Sequence, residues 1–463
     1  MTALWTSNEI ARATGGTEHG RFEADGVTFD SREVTAGDLF IAMPGTVHDG
    51  HQFIAKAIAA GAAGLVVSEP VDHPHVLVDD TARALEALGR AARERTQATV
   101  IGVTGSVGKT STKEALFAAL ERWRPGRVHR SVKSYNNHTG VPLSLARMPR
   151  KAEFAVLETG MSNKGEIAAL TRMVRPNVAL VTAIAPAHIE TLGSEQAIAD
   201  AKAEIFEGLE PDGIAIVPND TPHRDRLVRA ARRHADRIIT FGSGDADVHA
   251  LHAVRSDNGG SLITAELLES HVTFTISQRG EHWVSNSLAV LAAVEAVGGD
   301  IGLAGLALAD LGGLKGRGER HILRIDGGEA VLIDESYNAN PASMAATLAS
   351  LGSETGARRR IAVLGPMREL GARSAELHAG LAPDIARAKV DELVLVGEEM
   401  DVLESALGQQ VHVTRASNAD DAAEAVERLL RPGDAVLVKA SNSVGLARVI
   451  ERLIREIAEC STS

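Results

Sequence analysis

A chain of 463 residues is too long for one compact core, and length as a prior suggests about three domains. Hydrophobic residues at 44% and charged residues at 24% are ordinary globular values, while aromatics at 3% are so few that the cores must rest on Ala, Val, Leu and Ile. A formal charge of -13 argues against nucleic acid as the main partner, and a single cysteine, Cys460, excludes intramolecular disulfides and a multi-cysteine metal site.

The N-terminus carries Asn8, Glu9 and Arg12 where a signal peptide needs an uninterrupted apolar stretch. No later apolar run approaches a membrane span, so the protein is expected to be soluble and cytoplasmic, with no membrane insertion. The first ninety or so residues contain the short runs VTFDS, DLFIAM, AGLVVSE and HVLVDD, with a helical pattern, HQFIAKAIAAG, between the second and third. They read as a small α/β domain over residues 1–95, closed by a helix from Thr81 to Arg95.

From Thr99 the order is strand, glycine turn, helix, and then strands at EFAVLETG, NVALVTAIA, GIAIVPND and RIITFG separated by helix-like segments. Such alternation predicts a mostly parallel sheet with helices on both faces. Val248 to Gln278 reads instead as antiparallel hairpins around an Asn258-Gly259-Gly260 turn, followed by a helix at VSNSLAVLAAVEAVG. This central domain is assigned to residues 96–314. A Gly-rich joint, LGGLKGRGER, leads into renewed alternation at EAVLIDES, RRIAVLG, ELVLVGEE, VHVTRA and DAVLVKAS, a third, Rossmann-like α/β domain over 315–463. No internal repeat or low-complexity tract interrupts the three.

The sharpest local signal is IGVTGSVGKTST, from Ile101 to Thr112, between a β-branched strand and a helical pattern. A strict Walker A pattern fails by one position, because Val103 stands where a glycine is wanted and Gly102 comes one residue early. The shorter form TGSVGKT is intact over Thr104, Gly105, Ser106, Val107, Gly108, Lys109 and Thr110. Its glycines let successive backbone N–H groups close around a phosphate, the helix N-terminus adds a positive dipole end, Lys109 adds a full charge, and Thr110 offers a hydroxyl to Mg²⁺. A cradle of this kind does not separate kinase, ATPase, GTPase and ligase.

TGSVGKTS resembles the nucleotide loop of the Mur ligases, and the resemblance continues along nearly the whole chain. It is carried by TFDSREVTAGDLFIAMPG, SYNNHTGVPLSL, VLETGMSNKGEIAAL, VTAIAPAHIETLGS, AKAEIF, LIDESYNANPASM and LGPMRELG. Within the family, the glutamate before TGMSNKGEI, the APAH run and the Asn-Asn-x-x-Gly-Val-Pro run resemble the branch that adds D-alanyl-D-alanine. The resemblance implies ATP-driven condensation of that dipeptide with UDP-N-acetylmuramoyl-tripeptide in peptidoglycan precursor synthesis. The γ-phosphoryl group first activates a carboxylate as an acyl phosphate, and the amine then displaces phosphate through a tetrahedral intermediate.

The same resemblance assigns roles. Glu158 and His188, at the ends of the strands EFAVLE and NVALVTAIA, are implied to hold Mg²⁺ with Thr110. On its own chemistry His188 reads as a loop histidine, since Mg²⁺ prefers oxygen. Lys202 is implied to be a carbamate that bridges toward a second Mg²⁺; from its helix alone it reads as a surface lysine. Lys109, Lys202 and His188 are the implied catalytic residues. Ser31 and Arg32 are implied to meet the uridine diphosphate and Asn136 and Asn137 the substrate near the ligation centre. Asn286, Arg317 and Asp334 are implied to reach ATP. Apart from the resemblance, Asp-Ser-Arg reads as a turn with a solvated charge, and the asparagines as turn or cap residues.

The chain departs from the family pattern where Glu335 replaces a second Asp, Pro366 an Asp, Ala440 a Gly and Asn442 an Arg. Expected, then, is a monomer of three α/β domains, one for the UDP moiety, one P-loop ATPase domain and one mobile domain that stands open without ligand. Two rivals stay open: another amino-acid-adding Mur ligase or folylpolyglutamate synthase-like enzyme, and a nucleotide-dependent binding protein that kept the cradle without ligation.

Overall fold

The computed structural model describes residues 3–45, 48–256 and 259–460, with side chains to 455. Cys460's side chain and Asn258 of the expected hairpin turn lie outside the described residues. Three main sheets organise the chain, with a two-stranded pair at Trp5–Thr6 and Glu23–Ala24.

The first has five strands in the order Thr17–His19, His75–Leu77, Gly64–Val67, Asp38–Ile41 and Gly26–Thr28, parallel except at the first pair. Its closing helix, Thr81–Arg95, is capped by the Asp80 carboxylate accepting from the N–H groups of Ala82 and Arg83. That helix packs against Gly140–Ala146 of the next domain, where Gly89 meets Pro142, and Trp5 donates across the same seam to the carbonyl of Ala146 at 2.8 Å.

The central sheet has nine strands. Val128–Arg130, Phe154–Glu158, Thr99–Thr104, Val178–Val181, Ile214–Pro218 and Arg237–Gly242 run parallel, and Val248–Arg255, Ser261–Glu266 and His271–Ile276 extend the far edge as an antiparallel meander. Thr99–Thr104 sits between two parallel neighbours and is buried on both faces, so Val100 joins one core and Ile101 and Val103 the other. Helices Lys109–Trp123 and His282–Ala296 cover the second of these faces together.

The third sheet has six strands in the order Glu319–Ile325, Gly328–Glu335, Asp434–Lys439, Arg359–Leu364, Glu392–Val396 and His412–Ala416, with only the first pair antiparallel. The expected open arrangement of this domain is not what the structure has. Ile189 and Ile198 of the central domain are buried in one apolar cluster with Met367 and Leu370 of the third. At a separate point of the seam Glu354, 5% exposed, accepts from Arg279 of the central domain at 2.6 Å and from Arg320 at 2.8 Å. Apolar burial and a charge clamp hold the two domains together.

Candidate active site

The central sheet directs its strand ends at one spot. Thr99–Thr104 delivers the chain to Gly105 at φ +150°, and the loop turns into helix Lys109–Trp123 through Gly108 at φ +84°. A Cβ on Gly105 would lie 2.0 Å from Thr182 Oγ1, and one on Gly108 would lie 3.0 Å from Asn286 Oδ1. Glycine is needed at both positions for its backbone freedom and for close approach.

Neighbouring strands lash the loop in place. Thr104 Oγ1 donates to the Thr159 carbonyl at 2.7 Å, Ser106 Oγ to Ala185 at 2.9 Å, and Thr182 Oγ1 to Val107 at 2.5 Å. Lys109 folds back, its Nζ donating to the Gly105 carbonyl at 2.7 Å. Burial lowers its pKa, with Glu158 opposing and Arg317 adding repulsion.

Glu158 ends its strand fully buried. One carboxylate oxygen accepts from Thr110 Oγ1 at 2.9 Å, the other from Asn136 Nδ2 at 2.7 Å. Lys202, on helix Glu195–Ala203, is 0% exposed, which corrects the surface position its local pattern suggests. Among the described residues its Nζ has no hydrogen-bond partner. Burial drives its pKa well below 10.5, helped by the charge of Lys109 and opposed by Glu158 and Glu204. His188 opens the short helix Ile189–Leu192 in the left-handed region at φ 59°, and its Nδ1 meets the Glu369 carboxylate of the third domain.

The donor set suits a hard cation, since the Glu158 carboxylate and Thr110 hydroxyl are oxygen ligands already in contact. An orphaned buried amine held toward its neutral form is what carbamate formation requires, because only the free base attacks carbon dioxide.

Of the residues singled out in the sequence, Ser106, Val107, Gly108 and Lys109 of the loop line a single cleft of about 480 Å³. Asn136, Asn137, Glu158, His188 and Asn286 line it as well, and Arg317 enters from the third domain. Thr104, Gly105, Thr110 and Lys202 lie outside that lining, behind the loop and the Glu158 corner.

Asp334 is not in the lining; it is 1% exposed, and its carboxylate accepts from the N–H groups of Gly316 at 2.9 Å and Ser336 at 3.0 Å. It thereby fixes the turn that presents Arg317, whose guanidinium stacks on Tyr337 at 4.3 Å. Ser31 and Arg32 are also outside the cleft. Arg32 is largely exposed and holds Asp30 at 2.6 Å, while neighbouring Glu33 receives Lys133 and, at 3.4 Å, the Tyr135 hydroxyl. The loop carrying Asn136 and Asn137 therefore touches the first domain beside Ser31 and Arg32.

Sequence reasoning missed two buried lysines. Lys113, on the helix after the loop, donates to the carbonyls of Ser131 at 3.0 Å and Lys133 at 2.5 Å, pinning the loop that carries Asn136. One turn beyond Lys109, a lysine reads as solvated, so no local signal marked it. Lys439 is 2% exposed, donates to the Asn338 carbonyl at 2.9 Å and pairs with Glu335 at 3.4 Å at the roof of the cleft. It stands at the C-terminal end of a parallel strand, the same kind of position that marks Glu158.

A phosphate loop at the switch of a parallel sheet, roofed by an arginine from a second α/β domain, defines the class as a multidomain P-loop enzyme. Three family models match successive stretches: "Mur ligase family, catalytic domain" over residues 23–104, "Mur ligase middle domain" over 103–294, and "Mur ligase, glutamate ligase domain" over 316–442. The chain belongs to the Mur ligase family.

The UDP-N-acetylmuramoyl-tripeptide--D-alanyl-D-alanine ligase of Bacillus subtilis is 35% identical, with 97% of this chain and 98% of that protein covered. The Escherichia coli ligase of the same name is 33% identical over 94% of this chain and 95% of its own length. Crystal structure I of MurF from Acinetobacter baumannii matches with a TM-score of 0.82 at 29% identity, covering 97% of this chain and 99% of that one. MurF from Thermotoga maritima in complex with ADP matches at 0.77 and 28%, covering 94% and 98%. No helix among the described residues is long and apolar enough to cross a membrane.

Proposed function

We propose that this chain joins D-alanyl-D-alanine to UDP-N-acetylmuramoyl-tripeptide at the expense of ATP, as the names of its full-length relatives describe. The observation that carries the reading is the shared cleft, where the phosphate loop, Glu158, His188 and the third-domain Arg317 face one volume.

The loop amides and Lys109 hold the triphosphate, and Arg317 approaches it from the opposite wall. A carboxylate oxygen of the tripeptide attacks the γ-phosphorus and ADP leaves, giving an acyl phosphate. The dipeptide's neutral amine then attacks the acyl carbon, and phosphate departs with the former carboxylate oxygen and takes up the proton that the amine loses. Asn136, tied to Glu158, and Asn137 are positioned to hold the peptide end, with Ser31 and Arg32 taking the uridine diphosphate from the first domain. Asn286 and Asp334 serve ATP differently: the first lies against Gly108, and the second holds Arg317's turn.

Mg²⁺ held by Thr110, Glu158, His188 and a carbamate on Lys202 would neutralise the phosphoryl charge that builds in both steps. ATP and a nucleotide-linked precursor are cytoplasmic pools, which supports a cytoplasmic location.

The test is ADP formation with purified nucleotide-tripeptide and each candidate amine. Release should depend on D-alanyl-D-alanine, and the ligated product should appear by mass spectrometry. Equal release with a single amino acid would overturn the reading.

A further inference from the structure

We propose that Glu369 is a positioning residue that couples docking of the third domain to the metal affinity of His188. The inference rests on the reading of His188 as a magnesium ligand.

Four contacts converge on this seam. His188 Nδ1 meets the Glu369 carboxylate. The N–H of Glu190 donates to the Glu369 carbonyl at 3.2 Å. Ile189 is buried with Met367 and Leu370. A Cβ on Gly371 would lie 3.1 Å from the side chain of Glu190. Both members of the central pair stand in the left-handed region, His188 at φ 59° and Glu369 at φ 62°. Strained non-glycine backbone on both sides of one contact persists only where the surroundings impose it.

A carboxylate in ion-pair contact with Nδ1 favours the imidazole tautomer that carries its proton there and leaves the lone pair on Nε2. Here the carboxylate belongs to another domain. Docking therefore completes the ligand, and undocking releases the ring to rotate. The third domain contributes to the metal corner without entering it.

The experiment uses the full-length protein, Mn²⁺ as the probe and a non-hydrolysable ATP analogue, with free Mn²⁺ read by electron paramagnetic resonance. Glu369→Gln keeps size and hydrogen bonding but not charge, and should weaken Mn²⁺ binding about tenfold or more. In a His188→Ala background the same substitution should change nothing further. An unchanged Mn²⁺ affinity in Glu369→Gln, or an equal loss with and without His188, overturns the coupling while leaving the ligase reading intact. If His188→Ala alone binds Mn²⁺ like the parent, His188 is not a ligand, and both that assignment and the coupling fall. A purely structural Glu369 would alter thermal stability and leave the Mn²⁺ titration and the His188 dependence unmoved.

Discussion

Replacing Lys202 with Met should move stability and activity in opposite directions. The amine is fully buried and makes no hydrogen bond among the described residues, so in the unmodified protein it contributes an unsatisfied polar group. Such a group costs about 1–3 kcal/mol, and a Met of similar length refills the space with a packing penalty under about 1.5 kcal/mol. In bicarbonate-free buffer Lys202→Met should therefore be as stable as the parent or more stable by about 1–2 kcal/mol in side-by-side urea denaturation. The pH dependence follows. Because the folded amine titrates well below 10.5, the unfolded chain binds more protons between the two values, and parental stability rises with pH across that window. The variant should show a shallower rise, with Lys109 and Lys439, also lowered by burial, supplying the remainder. Ligation should meanwhile fall about 100-fold to 1000-fold, the cost of one lost electrostatic group at a reacting centre. Added bicarbonate with Mg²⁺ should raise the melting temperature of the parent alone. A variant destabilised by more than about 2 kcal/mol, or one that ligates at the parental rate, would refute the reasoning.

Gly105→Ala forces φ +150° on a side chain whose Cβ would lie 2.0 Å from Thr182 Oγ1; the expected loss is about 2–5 kcal/mol of stability together with nucleotide binding, checked by denaturation and ADP calorimetry. His129 is buried against the Ser144 carbonyl at 2.7 Å, and its pKa is lowered by burial to about 4 from 6.5. Stability is thus fully present above 6.5 and declines on acidification toward 4, by on the order of 3 kcal/mol, a slope that His129→Asn should flatten in a pH series of urea curves. Glu335→Asp, nominally a return to the family residue, shortens the reach to Lys439 from 3.4 Å to beyond ion-pair range. It should cost about 1–3 kcal/mol and raise the KM for ATP, and a stabilised variant would count against it.

The phosphate loop was legible because its function is local: glycine spacing, a lysine and a helix start are all contiguous in sequence. Glu158 was legible as a strand-end carboxylate, since parallel sheets collect ligands there. Lys202 was not, because a single lysine on a helix looks solvated. Yet Ile198, Ala199, Ala201 and Ala203 are all buried around it, and small apolar residues on every side of a helix signal a helix enclosed by neighbours. Asp334 is implied by the resemblance to reach ATP, and in the structure its oxygens accept from the N–H groups of Gly316 and Ser336 at the turn that presents Arg317, a local role that no sequence pattern marks. The docked third domain was the least legible. Arg279 meets Glu354 and His188 meets Glu369 across long stretches of chain, and no periodicity encodes which surfaces of two separately folded sheets come together.

The departures from the family pattern also make sense only in three dimensions. Pro366 and Asn442 are distant in sequence but follow neighbouring parallel strands, Arg359–Leu364 and Asp434–Lys439, at their common end. There the Ser441 N–H donates to the Pro366 carbonyl at 3.2 Å, Ser441 Oγ accepts from Arg368 N–H at 2.9 Å, and Ala440 is buried with its Cβ 2.9 Å from where a Cβ on Gly365 would lie. Where the resemblance implies an Asp and an Arg, this chain carries Pro366 and Asn442 at one corner, so a negative and a positive charge are both lacking there. At the adjacent roof the opposite occurs: Glu335 keeps its charge, and Lys439 keeps a partner. Pro366, Ala440 and Asn442 stand in the third domain outside the lining of the cleft, whereas the phosphate loop and Glu158 come from the central domain, so these departures leave the side proposed to handle the phosphoryl group as it is.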